Sequence, residues 1–104
     1  MTFETLFSPH HIRSLIIPNR IVSTGHDTVM AHDGRVTDRL IAYHEARARG
    51  GAGLIIVQVA GVHSTARYTS HMLMADDDRC LEGYRRLAEK IHSHGTKIFG
   101  QLFH

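Results

Sequence analysis

Two stretches place polar chemistry among small or apolar neighbours. The run Ser23-Thr24-Gly25-His26-Asp27 interrupts a β-branched segment with hydroxyl, imidazole and carboxylate groups, the composition of a turning or ligand-facing loop. If Asp27 paired with His26, the carboxylate would favour the imidazolium and raise its pKa. Gln101 lies inside the apolar run Lys97-Ile-Phe-Gly-Gln-Leu-Phe103. An amide without partners is costly there, so Gln101 either meets a ligand or is satisfied within a core.

Other reactive side chains point to blander roles. The chain has ten histidines, including His10-His11, His92, His94 and the terminal His104. None has the spacing of a recognised metal site, and one cysteine cannot complete a Cys-based one, so no metal is expected. His92 and His94 suit the negative end of a helix. Asp76-Asp77-Asp78 reads as a helix cap and solvated acidic turn rather than a cation site. Cys80 lacks an evident activating base and reads as a partly buried helix residue.

The elements that must position these groups follow from periodicity. Ile12 to Arg20 reads as two short strands around a turn, with Pro18-Asn19 as punctuation, and Ile21-Val22 starts another strand. His32-Asp33-Gly34-Arg35 is a turn. Thr37 is a candidate N-cap with Asp38 in the first turn, followed by helical spacing of Leu40, Ile41, His44 and Ala48 up to Arg49. Gly50-Gly51 stops that helix. Leu54-Ile-Ile-Val-Gln-Val-Ala60 has the β-branched continuity of a strand buried on both faces. A long polar stretch, 61–78, follows. The next helix carries a stripe of Leu81, Tyr84, Leu87, Ala88 and Ile91, with Lys90, His92 and His94 in its last turn and Gly95 as its stop. Residues 97–103 form the last strand. The expected order is hairpin, then β-α-β-α-β, an α/β chain with parallel pairing. Such units belong to a barrel or to a doubly wound sheet, and periodicity alone does not choose. A Gly-x-Gly-x-x-Gly turn, expected of a nucleotide-binding doubly wound domain, is absent after the first strand. A parallel strand at the end of the chain with nothing covering it is a liability, so 1–104 reads as an incomplete domain. The alternative is a stand-alone half-barrel that acts as a binding or assembly module.

Composition sets the class. The chain is 42% hydrophobic, 21% charged and 7% aromatic with a net charge of +2, ordinary for a globular protein. Its basic residues are interleaved with acids, which argues against nucleic acid as a partner. No apolar run approaches the roughly 18 residues of a membrane span, and the acidic N-terminal segment lacks a signal-peptide core. A single cysteine suits a reducing, cytoplasmic setting.

Several ordered segments together resemble the N-terminal part of the old yellow enzyme family. They are Leu6-Phe7-Ser8-Pro9, Pro18-Asn19-Arg20-Ile21-Val22, Asp33-Gly34-Arg35-Val36-Thr37, Tyr43-His44-Glu45-Ala46-Arg47-Ala48-Arg49-Gly50-Gly51, Gly53-Leu-Ile-Ile-Val57, Gly83-Tyr84-Arg85-Arg86-Leu87, and His94-Gly95 followed by Gln101-Leu102-Phe103-His104. The resemblance implies a partial TIM (β/α)₈ barrel with FMN at the C-terminal mouth of its strands. It implies an oxidoreductase that passes hydride from NADH, NADPH or an amine donor through FMN to an unsaturated or other small-molecule acceptor. By the same resemblance Thr24, Gly25, His26 and Asp27 form the loop against the flavin, Val59 lies against the ring system, and Gln101 reads the pyrimidine edge. Asp27 stands where trimethylamine dehydrogenase has a flavin-linking cysteine, which implies a non-covalent cofactor. His26 tilts the chain toward the demethylase and dienoyl-CoA reductase branches, where an iron–sulfur cluster and FAD would belong to regions beyond His104. The proton-donating and phosphate-binding groups of the family also match positions beyond His104, so the 104-residue chain is expected to be inactive alone. Homo-oligomer formation stays open.

Overall fold

The computed structural model describes residues 2–104; Met1, the first residue of the expected domain, lies outside them. The chain opens with an antiparallel hairpin of β1 (His10–Ile12) and β2 (Leu15–Ile17). Its turn is Arg13-Ser14, with Arg13 at a positive φ of 53°. The expected punctuation at Pro18-Asn19 is therefore displaced. Both strands precede Pro18, and Asn19 instead ties the hairpin to the main sheet by donating from Nδ2 to the carbonyl of Gly51 at 2.8 Å.

The main sheet is parallel. β4 (Leu54–Gly61) is its central strand, with β6 (Lys97–Phe103) on one edge. On the other edge lie β3 (Val22–Ser23) at the start of β4 and β5 (Leu73–Met74) at its end. β5 sits in the stretch expected to be polar loop. It is two residues long, and its pairing with Ala60 and Gly61 is non-local, so no local pattern announces it.

The helices cross between strands. α1 (Asp38–Arg49) starts at Thr37, whose Oγ1 accepts from Leu40 N at 3.1 Å. It ends where Gly51 takes up a φ of 104°, a conformation that a side chain would resist. α2 (Leu81–His92) has no side-chain cap of its own; Asp77 caps the short 3₁₀ turn Asp78–Cys80 before it. Cys80 is buried in that turn rather than half-buried in the helix. Leu81, the first residue of the helix, is exposed, and His94 lies just beyond the helix end.

Both helices pack on the same face of the sheet. Leu40, Ile41 and Ala48 of α1 and Leu87 and Ile91 of α2 share one buried cluster with Ile55, Val57 and Ala60 of β4. Each leucine, isoleucine or valine among them contributes about 1.5–3 kcal/mol by leaving water. A doubly wound sheet would place helices on both faces, whereas a barrel places them all outside. The one-sided arrangement is the one a partial (β/α) barrel requires, and one half of a doubly wound sheet shares it.

Candidate cofactor-facing wall

The polar groups collect at the C-terminal ends of the parallel strands, where this architecture builds its sites. β4 contains a bulge: Ile56 pairs with Phe99 and Val59 with Gln101, so Val57 and Gln58 together oppose Gly100. The extra residue changes which face later side chains take. Val57 packs into the helix-side core. Val59, two residues on, is brought to the opposite face in register with Gln101.

The loop after β3 runs against this bulge. Gly25 lies so close that a Cβ there would stand 2.6 Å from Gln101 Oε1 and 2.9 Å from the carbonyl oxygen of Val57. Thr28 donates from its hydroxyl to Gln58 Oε1 at 2.7 Å and from its backbone N–H to the same oxygen at 3.3 Å. Of the six site residues read from the sequence, Gly25, Val59 and Gln101 converge on one spot. Thr24 is exposed beside them.

His26 and Asp27 do not form the pair that their adjacency would allow. The ring of His26 turns toward α1. Thr24 O can only accept, so Nδ1 carries the proton in that 3.1 Å bond, and in the neutral ring Nε2 accepts from the hydroxyl of Tyr43. Arg47 stacks its guanidinium over Tyr43, 3.5 Å from the ring centroid. Asp27 instead accepts from the Tyr68 hydroxyl at 2.5 Å. That bond, then partial burial and the carboxylate charge, push the phenol up to about 12. Tyr68 also meets Phe103 edge-on at 5.9 Å, so the strand ends of β3 and β6 and the loop after β4 are linked. Beside them Thr65 Oγ1 bonds His63 Nδ1 at 2.9 Å and His104 Nε2 at 2.8 Å.

Gln58, Thr28 and Tyr68 were not singled out from sequence. Gln58 carried the same signal as Gln101, a carboxamide inside an apolar strand. Tyr68 carried none. Among the described residues no group of three or more His, Cys, Asp or Glu side chains is placed to hold a metal, and no helix is long and apolar enough to cross a membrane.

The residues present suit a flavin. A backbone cradle that a single Cβ would fill lies beside an exposed carboxamide able both to donate and to accept, and the flavin pyrimidine edge offers an N–H flanked by carbonyls.

A model of the NADH:flavin oxidoreductase / NADH oxidase family matches residues 5–104. The chain is 45% identical over 104 residues to the NADH oxidase of Thermoanaerobacter brockii, a match covering 98% of this chain and 16% of that protein. It is 38% identical over 108 residues to the N,N-dimethylglycine/sarcosine dehydrogenase of Chromohalobacter salexigens, covering 100% of this chain and 15% of that protein. The fold superposes on the old yellow enzyme from Trypanosoma cruzi with a TM-score of 0.86 at 28% identity, over 100% of this chain and 28% of that one. The chain thus spans about a sixth of the length of these two curated relatives. It belongs to the NADH:flavin oxidoreductase / NADH oxidase family.

Proposed function

We propose that the protein carrying this chain is an FMN-dependent oxidoreductase of the cytoplasm that moves hydride between a reduced nicotinamide or amine donor and an unsaturated or other small-molecule acceptor. The observation that carries the reading is the convergence of Gly25, Val59 and Gln101 at the C-terminal strand ends. FMN, when bound, supplies the centre that accepts and returns the hydride. Gln101 would orient the ring through its carboxamide, the main chain of residues 24–27 would offer N–H donors, and Val59 would supply an apolar surface. Tyr68, held protonated by Asp27, stays a hydroxyl across the neutral range. The amine option draws on the dimethylglycine/sarcosine relative and the nicotinamide option on the NADH oxidase.

The test compares the 104-residue chain alone with the same chain extended by whatever its reading frame encodes on either side. The extended protein is expected to purify with FMN in stoichiometric amount and to oxidise NADH, NADPH or a methylated amine. The 104-residue chain is expected to retain FMN poorly and to show no turnover, because by the family resemblance the phosphate-binding loops match positions beyond His104. An extended protein that binds no flavin overturns the reading.

A further inference from the structure

We infer that Gln58 is a positioning residue that sets where the loop after β3 lies against the cofactor wall; the inference rests on the flavin reading above. Gln58 is only 1% exposed and sits in the bulge of β4. Its Oε1 takes both the hydroxyl and the backbone N–H of Thr28. The Thr28 hydroxyl in turn accepts from Met30 N at 3.3 Å. Donors and acceptors therefore run in one direction, from the Met30 amide through the Thr28 hydroxyl to Gln58 Oε1. The chain works only if position 58 presents an acceptor. Its Nε2 is buried and has no partner among the described residues. A buried amide half-satisfied in this way is a cost, and it is offset by what the other half holds.

What it holds is the far end of the cofactor-facing loop. Gly25 is pressed against the carbonyl of Val57, and Thr28 is fixed to the neighbouring Gln58. The loop is pinned at two points three residues apart to one bulge. Between them, His26 and Asp27 are drawn off to Tyr43 and Tyr68. The bulge that brings Val59 into register with Gln101 therefore also supplies the clamp that brings Gly25 to Gln101. A slip of this clamp moves the loop's main-chain donors relative to Gln101 without removing any group that touches the flavin.

The experiment uses the FMN-loaded protein carrying this chain, with Gln58→Leu, Gln58→Glu and Thr28→Val. Gln58→Leu removes the acceptor, and Thr28→Val removes the hydroxyl that uses it. Each is expected to weaken FMN binding about tenfold and to shift the flavin visible spectrum and midpoint potential, and the double variant is expected to be no worse than either single one. Gln58→Glu keeps the acceptor and is expected to restore the spectrum and potential even if its stability falls. A folded Gln58→Leu with unchanged affinity, spectrum and potential overturns the inference. Amide exchange at Thr28 and Met30 in the flavin-free protein separates the two readings. Faster exchange in Gln58→Leu than in Gln58→Glu supports the clamp whether or not flavin binds, and equal exchange overturns it. A wild-type protein that takes up no FMN overturns the flavin reading, and with it the positioning role.

Discussion

A methyl group on Gly25 would stand 2.6 Å from Gln101 Oε1 and 2.9 Å from Val57 O. The two contacts differ in kind. The Gln101 amide ends a flexible side chain and can swing away, whereas Val57 O belongs to the central strand and cannot. Gly25→Ala is therefore expected to push the loop outward, costing about 1–3 kcal/mol of stability and weakening FMN binding. Urea unfolding and fluorescence titration with FMN check this. A variant with wild-type midpoint and affinity would show that the loop tolerates displacement.

Thr37 holds the first turn of α1 at both ends of its hydroxyl. Oγ1 accepts from Leu40 N and donates to the carbonyl of Met30 at 2.5 Å. The residue thus joins the helix start to the segment that continues from the Gln58 clamp. Thr37→Ala is expected to cost about 1–2 kcal/mol, and Thr37→Ser to recover most of it. Denaturant midpoints at neutral pH measure both, and an Ala variant as stable as Ser would deny the cap its role.

The legible part of this fold is the part with a local signal. Thr37, Gly50-Gly51 and the 3.6-residue spacing of Leu40, Ile41, His44 and Ala48 announce α1, and the β-branched run after Gly53 announces β4. β5 and the bulge at Val57-Gln58 answer to strand partners far along the chain, and nothing nearby marks them. The site divides in the same way. Gln101 is conspicuous because an amide is out of place in an apolar strand. The partner of Asp27 is not, since Tyr68 lies 41 residues away and His26, adjacent in sequence, is the obvious but wrong choice.

The Asp27–Tyr68 bond carries a spectroscopic prediction. A phenol pushed up to about 12 is stabilised in its protonated form. The contribution is intact below the ordinary tyrosine value near 10 and is lost as pH rises through 12. Ultraviolet titration of the folded protein is expected to show two tyrosines missing from the wave near pH 10, Tyr68 and also Tyr84, whose phenol is pushed up by burial. Asp27→Asn is expected to return Tyr68 there, and Tyr68→Phe to leave Tyr84 as the late-titrating phenol. Both side chains are largely solvent-facing, so neither substitution is expected to change stability much at pH 7. An Asp27→Asn titration identical to wild type would show that Asp27 does not hold Tyr68 protonated.

His44 sets the behaviour in acid. It is 2% exposed on the inner face of α1, and neither ring nitrogen has a hydrogen-bond partner among the described residues. Burial, then the charge of Arg47 and then His26, lower its pKa from 6.5 to about 4. The unfolded chain therefore binds a proton that the folded one refuses between those values. Stability at this site is complete above pH 6.5, falls as pH drops toward 4, and is fully lost below it, by at most about 3 kcal/mol. His44→Leu removes two unpartnered polar atoms while roughly keeping their volume. It is expected to be neutral or stabilising at pH 7 and to flatten the decline between pH 6.5 and 4. Urea midpoints at half-unit pH intervals decide it: wild-type and variant curves must converge toward neutral pH or cross, and parallel curves across the whole range would mean that His44 does not govern the acid limb.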